Sequence, residues 1–288
     1  MKIASYGPPG REKPGVLHND RIIDLTGVDP SLPPTVRGIL EAGQIPRIAQ
    51  ILDKATAIDT KFLMPLSKVR FGPPVTNPSK IICLGLNYKD HAEEQKREVP
   101  ERPLLFAKAP SCLAGHGDPI PIPEEVEKLD HEVELAFVIG KRAKNIPIEE
   151  APDYVAGYSV FMDISARDVQ FREKQWFRGK SFDGFGPFGP YLTTADEIAD
   201  PHNLNISMDV NGRTVQASNT GQMTFKVFFL VHYLSHSMTL EAGDVVATGT
   251  PAGVGVFASP PRFLQKNDTL EATIEGLGTL VNPVETQG

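Results

Sequence analysis

The segment His131–Gly140, HEVELAFVIG, is apolar at both parities after Glu134. A strand with one wet face alternates, whereas a run apolar at every position suits a strand covered on both faces. The same segment begins with acids. Glu132 and Glu134 are i, i+2, so on a strand their carboxylates share a face with Ala136 and Val138. A second apolar run, VAGYSVFMD, also ends in an acid, Asp163. Exposed acids on strands are common, and a solvated face accounts for Glu-x-Glu taken alone. The neighbourhood adds a different reading. Three carboxylates converging near a core would repel one another and lose hydration unless a divalent cation lay between them. An oxygen-ligand metal site at Glu132, Glu134 and Asp163 is therefore the first functional expectation.

Around this run the chain reads as a sheet-rich body. Strand signals recur in KIICLGL, PLLFAKA, YLTT, LNISMDVNGRTVQ, DVVATGT and DTLEATIEGLGTLVNPV, bounded by glycine, proline and asparagine. Helices are fewer, expected over residues 88–95, from 165 or 166 to 175, and over 225–237. Strands and helices do not alternate regularly, which argues against a Rossmann sheet or a TIM barrel and for an α+β, mostly β architecture. Residues 1–74 hold short strand-like pieces, a hairpin turn at Asn19-Asp20, and helices over 35–42 and 46–54. They are expected to form a small N-terminal α/β accessory domain. The joint FGPPVTNPSK continues neither helix nor central strand and sets a boundary near residue 74, leaving 75–288 as the larger domain.

The net charge of −7 and the absence of a long basic block make nucleic acid and anionic membrane surfaces unexpected partners. A small substrate is expected instead. Two cysteines, Cys83 and Cys112, sit in apolar runs and have no metal-type spacing. The N-terminus has no apolar h-region, and a cytoplasmic location is the expectation. Several tempting strings fail in context. GFGPFG at Gly184–Gly189 matches G-x-G-x-x-G, but Pro187 and Pro190 forbid the helix start that would cradle a pyrophosphate. His232 and His236 lack the glutamate of H-E-x-x-H, so packed or hydrogen-bonded rings are expected. TGTPAGVG lacks the Lys-Ser/Thr end of a P-loop, and no G-x-S-x-G occurs.

The segments GLNYKDHAEE, LLFAKAPS, DHEVELAFVIG, MDISARDVQ, RGKSFDGFGPFGP and ATGTPAGVG, in this order, resemble the fumarylacetoacetate hydrolase family over about residues 75–280. The branch most similar is that of 2,4-diketo-3-deoxy sugar-acid and acylpyruvate hydrolases. The resemblance implies a mixed β-sandwich or β-roll catalytic domain, commonly in a homodimer. It implies Mg²⁺ or Mn²⁺ on Glu132, Glu134 and Asp163, in keeping with the taste of hard cations for oxygen ligands. It assigns His91 and Glu94, one helical turn apart, to activation of water, although such pairs are often only surface contacts. It matches Lys180 to an active-site lysine, Gln170 and Thr250 to substrate contacts, and Lys108 less closely to the same pocket. Arg167 has a structural reading as well, pairing with a carboxylate at a helix start. Trp176 and Phe177 are placed to line a pocket or simply to pack.

The leading expectation is a hydrolase that cleaves a carbon–carbon bond in an acylpyruvate through a metal-bound pyruvate enolate. Alternatives on the same site are decarboxylation of a 2-oxo acid such as oxaloacetate, and tautomerase or hydratase chemistry. A non-catalytic 2-oxo acid binding protein is the remote alternative.

Overall fold

The computed structural model of the chain describes residues 1–286. Its main sheet has eleven strands. In spatial order the path runs Leu63–Pro65, Arg21–Asp24, Lys13–His18, Lys2–Tyr6, Gly186–Thr194, Val155–Met162, Val133–Ile139, Val245–Ala247, Ile81–Gly85 and Leu104–Lys108, with Leu113–Ala114 joining Gly186–Thr194 off the path. The run apolar at both parities lies inside this sheet, and all of Val133–Ile139 is buried. A second sheet of five strands, in order Arg213–Asn219, Asn205–Val210, Thr269–Ile274, Gly278–Thr286 and Ile120–Ile122, packs against the strands Val133–Ile139 and Val155–Met162. Here burial alternates along Asn205–Val210 and Thr269–Ile274, as one covered face requires. The fold is mixed α+β and mostly strand.

The N-terminal strands extend the main sheet, with Lys2 opposite Thr193 and Ile3 opposite Leu192. Asn19, at φ 54°, turns the hairpin between Lys13–His18 and Arg21–Asp24, a left-handed position that asparagine tolerates well. Thr35 caps the helix Val36–Glu41 by accepting from the Gly38 N–H, and Pro46 sits in the first turn of Ile45–Leu52, where it forfeits no helical bond.

One expected helix is shortened at both ends. Ser165 and Ala166 pair as a short strand with Asp130 and Leu129, so the helix begins only at Arg167. It stops at Arg172, and Trp176 then turns in to pack edge-on against Phe106. The segment Val227–Ser237 is a helix with Val227, Leu230, Val231 and Leu234 buried, while Phe225, Phe229 and Tyr233 stack as a ladder at i, i+4 spacing. The Nδ1 atoms of His232 and His236 bond to the carbonyls of Ile146 and His232, each at 2.8 Å. Both cysteines are free and buried. Among the described residues no helix is long and apolar enough to cross a membrane.

Candidate metal centre and the cavity beside it

Strand register assembles the three acids. Val133 pairs with Met162 in antiparallel register, so the next residues outward, Glu132 and Asp163, face each other, and the Asp163 N–H donates to the Glu132 carbonyl at 2.9 Å. Opposed residues of an antiparallel pair project to one side, and Glu134 joins them by its i, i+2 relation to Glu132. Their carboxylates are buried, with one oxygen from each within 4.8 Å of the others. Ligands around a hard cation, each about 2.0–2.6 Å from it, have this mutual spacing.

Cations and amides hold the acids from behind and from the side. Lys108 donates to Asp163 Oδ1 at 2.6 Å and to the Phe185 carbonyl at 2.9 Å. Lys180 donates to Glu132 Oε2 at 2.7 Å and to Asp163 Oδ2 at 2.6 Å. Arg167 binds Asp130 through Nε at 2.8 Å; its Nη2 lies 2.7 Å from Glu132 Oε1, an ion-pair contact with poor hydrogen-bond angles. Glu134 is treated differently. Its Oε2 accepts from the Gly249 N–H at 2.8 Å, but its buried Oε1 has no hydrogen-bond partner among the described residues. Gly249, at φ 91°, can turn that N–H inward where a side chain would strain the backbone and crowd the Leu84 carbonyl.

The two glutamates consequently titrate in opposite directions. Burial would raise Glu132, but the charges of Lys180 and Arg167 outweigh it and hold this carboxyl far below its usual range. Burial pushes Glu134 well above its usual range, and the charges of Asp163 and Glu132 add to that. Arg167 pairs with Asp130 and Glu132, and Lys108 with Lys180 pair with Asp163 and Glu132, so Glu134 is the one acid of the cluster with no cationic partner among the described residues. A buried orphan oxygen, an acid without a cationic partner and an all-oxygen donor set together fit a divalent cation held by Glu132, Glu134 and Asp163.

The histidine approaches from a separate element. After the strand Ile81–Gly85, Leu86 at φ 52° turns the chain, and the buried Asn87 clamps it by donating to the Thr248 and Phe225 carbonyls and accepting from the Phe225 N–H. The helix Lys89–Glu94 follows. His91 Nδ1 is 2.9 Å from Glu94 Oε2, and Gln95 Nε2 is 2.7 Å from His91 Nε2. A proton on Nδ1 satisfies both contacts, leaving Nε2 as the acceptor. Glu94 is held in turn by the Gly253 N–H at 2.9 Å. Gly253, at φ 105°, has no room for a side chain, since a Cβ there would lie 2.1 Å from the Val215 carbonyl oxygen.

A cavity of about 380 Å³ joins the two ends. Glu132, His91, Lys180, Gln170, Thr250 and Arg167 line it, together with Phe106, Phe171, Trp176 and Phe257. Gln170 accepts from Arg167 Nη1 at 3.0 Å, and the Thr250 hydroxyl donates to the Val133 carbonyl at 2.9 Å while accepting from Gln216. Of the candidates, Lys108 does not line the cavity: it is fully buried behind Asp163 with its ammonium committed to protein acceptors. Phe177 also stands outside, half exposed.

Asp130 is a residue that sequence reasoning passed over. Besides binding Arg167 it accepts from the N–H groups of Gly255 and Val256, tying the loop behind the cavity to the start of the acid strand. Its position just before Glu132 was the only available signal. Gln95 and Arg97, both lining the cavity, had none.

The chain belongs to the fumarylacetoacetate hydrolase family: the family model described as "Fumarylacetoacetate (FAA) hydrolase C-terminal" matches residues 80–285. Among its relatives, the mitochondrial oxaloacetate tautomerase fahd2 of Xenopus laevis is 49% identical over 266 residues, spanning 91% of this chain and 82% of that protein. The mitochondrial oxaloacetate tautomerase Fahd2a of Rattus norvegicus is 46% identical over 289 residues, spanning 99% of this chain and 91% of that protein. Maleylpyruvate hydrolase of Sphingobium sp. SYK-6, solved with manganese(II) and pyruvate, superposes with a TM-score of 0.82 at 29% identity, covering 100% of both chains.

These relatives overturn the expected cytoplasmic location, since they are named mitochondrial. The expectation stood on the lack of an apolar h-region, which mitochondrial transit peptides, being amphipathic, do not have either.

Proposed function

We propose that the protein is a divalent-cation-dependent tautomerase that interconverts the keto and enol forms of a 2-oxo acid of the oxaloacetate type. The observation that carries this reading is the shared cavity: His91, its tautomer set by Glu94 and Gln95, faces the same space as Glu132 and Lys180. The near full-length similarity to oxaloacetate tautomerases supports this reading over carbon–carbon hydrolysis.

A cation held by Glu132, Glu134 and Asp163 would draw electron density from the 2-oxo acid's neighbouring oxygens, acidifying the C3 protons. His91 Nε2, released from Gln95 when substrate enters, takes a proton from C3. The C3–H pair becomes the C2=C3 double bond, and the carbonyl pair moves to the C2 oxygen. Glu94 steadies the imidazolium through Nδ1–H. The imidazolium then returns its proton to the C2 oxygen, so the enol forms with no atom gained or lost; the reverse sequence restores the ketone. Lys180 supplies positive charge beside the developing oxyanion, and Phe106, Trp176 and Phe257 restrict water.

Hydrolysis of an acylpyruvate is the second reading, favoured by the fold shared with maleylpyruvate hydrolase. There His91 would take its proton from water. One panel separates the two: decay of the enol absorbance of oxaloacetate and of several acylpyruvates, with pyruvate assayed in parallel, in Mg²⁺ or Mn²⁺ and in chelator. Tautomerisation predicts cation-dependent decay of the oxaloacetate enol without pyruvate. Stoichiometric pyruvate from an acylpyruvate, with no acceleration of oxaloacetate ketonisation, would replace this reading by the second.

A further inference from the structure

Three cationic side chains that line the cavity differ in what they are bound to. Lys180 is committed to Glu132 and Asp163, and Arg167 to Asp130, Gln170 and Glu132. Arg97 also lines the cavity, yet among the described residues its guanidinium has no hydrogen bond or carboxylate partner. It is held at the rim by backbone alone. The helix Lys89–Glu94 ends with the Lys96 N–H donating to the Glu93 carbonyl and the Arg97 N–H donating to the Ala92 carbonyl, both at 2.9 Å, with Lys96 at φ 53°. This is the Schellman arrangement, in which the residue after the left-handed position folds back over the last turn. Arg97 is thereby fixed to the same helical turn that carries His91 and Glu94.

We infer that Arg97 binds a carboxylate at the far end of the substrate, making this a site for dianionic 2-oxo acids, with one acid group at the carboxylate centre and a second at the rim. The inference rests on the tautomerase reading and specifies its substrate class. A guanidinium presents a planar fork of donors that matches a carboxylate, and pairing at the mouth of a partly apolar cavity is stronger than in open water. Because Arg97 and His91 share one helical turn, a bound distal carboxylate also settles the imidazole over C3. Arg97 is in this sense a specificity residue, and its charge acts on the preference between substrates.

The test compares oxaloacetate with its 4-methyl ester, which keeps the acidic C3 and the 2-oxo acid but lacks the second charge. Tautomerisation and, separately, calorimetric binding to the Mn²⁺-loaded chain are measured for wild type, Arg97→Met, Arg97→Lys and Arg102→Met, the last removing an exposed cation that does not line the cavity. Arg97→Met is expected to lower the kcat/KM preference for oxaloacetate over the ester at least tenfold, mainly through KM. Arg97→Lys should restore part of the preference, and Arg102→Met should leave it within twofold. An unchanged preference in Arg97→Met, or an equal loss in Arg102→Met, overturns the inference. The binding arm keeps the two readings apart. If wild type turns over neither compound, the tautomerase reading fails, while tighter binding of the dianion that Arg97→Met abolishes still upholds the role of Arg97.

Discussion

The carboxylate end of the cavity hangs from adjacent strands inside an eleven-stranded sheet; the histidine end rides on a six-residue helix that follows a single turn. At the first end every acid is buried, register fixes the geometry, and three cations form four ion pairs with Glu132 and Asp163, leaving Glu134 without one among the described residues. At the second, His91 depends on Glu94, and Glu94 on one N–H from the loop at Gly253. A helix this short owes its stability to tertiary contacts. The difference separates the labours: the sheet maintains a costly concentration of charge that only rigid packing can hold, and the helix presents a group that has to meet and release a proton.

Substitutions can break that division. The largest effect is expected for Glu134→Gln, which keeps an acceptor for the Gly249 N–H but removes the charge. Turnover should fall by about 10³-fold or more as cation affinity is lost, a magnitude in keeping with losing a charge-stabilising group. Metal-free thermal stability should be equal to or higher than that of wild type, because a buried orphan acid has been relieved; a drop in melting temperature beyond a few degrees would show that Glu134 stabilises the sheet instead. Next, His91→Asn should cost about 10²–10⁴-fold in kcat, the usual worth of an acid–base group, with Mn²⁺ affinity retained within threefold. Loss of Mn²⁺ binding in His91→Asn would erase the distinction between the two ends. Glu94→Gln should be milder, about tenfold to a hundredfold in kcat, because it disturbs the orientation and charge of the imidazole without removing it.

The smallest effect is the pH dependence of stability, where the two glutamates act in opposite senses. Glu132 is depressed in the folded chain, so its contribution is present above its ordinary value of 4.5 and fades as pH falls through its folded value. Glu134 is raised, so the metal-free folded chain holds a proton that the unfolded chain has released, and stability declines as pH climbs above 4.5. Saturating Mg²⁺ should flatten the decline on the alkaline side and steepen the loss on the acid side, where protonation of Glu132 and Asp163 releases the ion. Melting curves across pH, with and without Mg²⁺, check both arms.

Much of the carboxylate end was legible because strand periodicity alone places Glu132 and Glu134 on one face, and the apolar run after them announced a buried strand. That Asp163 stands opposite Glu132 was not legible, since register emerges only when two strands pair. The same limit hid the contacts of Asp130 with Gly255, 125 positions later, and sent Lys108 to the wrong side of Asp163. The helix expected from residue 165 or 166 begins only at Arg167 because Ser165 and Ala166 are pulled into backbone pairing with Asp130 and Leu129. The choice between hydrolysis and tautomerisation was beyond the residue pattern for a chemical reason: both reactions use the same cation ligands and the same histidine, and differ in whether the proton comes from water or from C3.

The most direct measurement is a Mn²⁺ titration of the metal-stripped chain in which free Mn²⁺ is read by electron paramagnetic resonance while ketonisation of oxaloacetate enol is followed in the same samples. The account predicts one tight ion per chain, with the rate rising in proportion to occupancy and neither tight binding nor rate in Glu134→Gln. Full activity in the metal-stripped chain, or tight binding undiminished in Glu134→Gln, would contradict it.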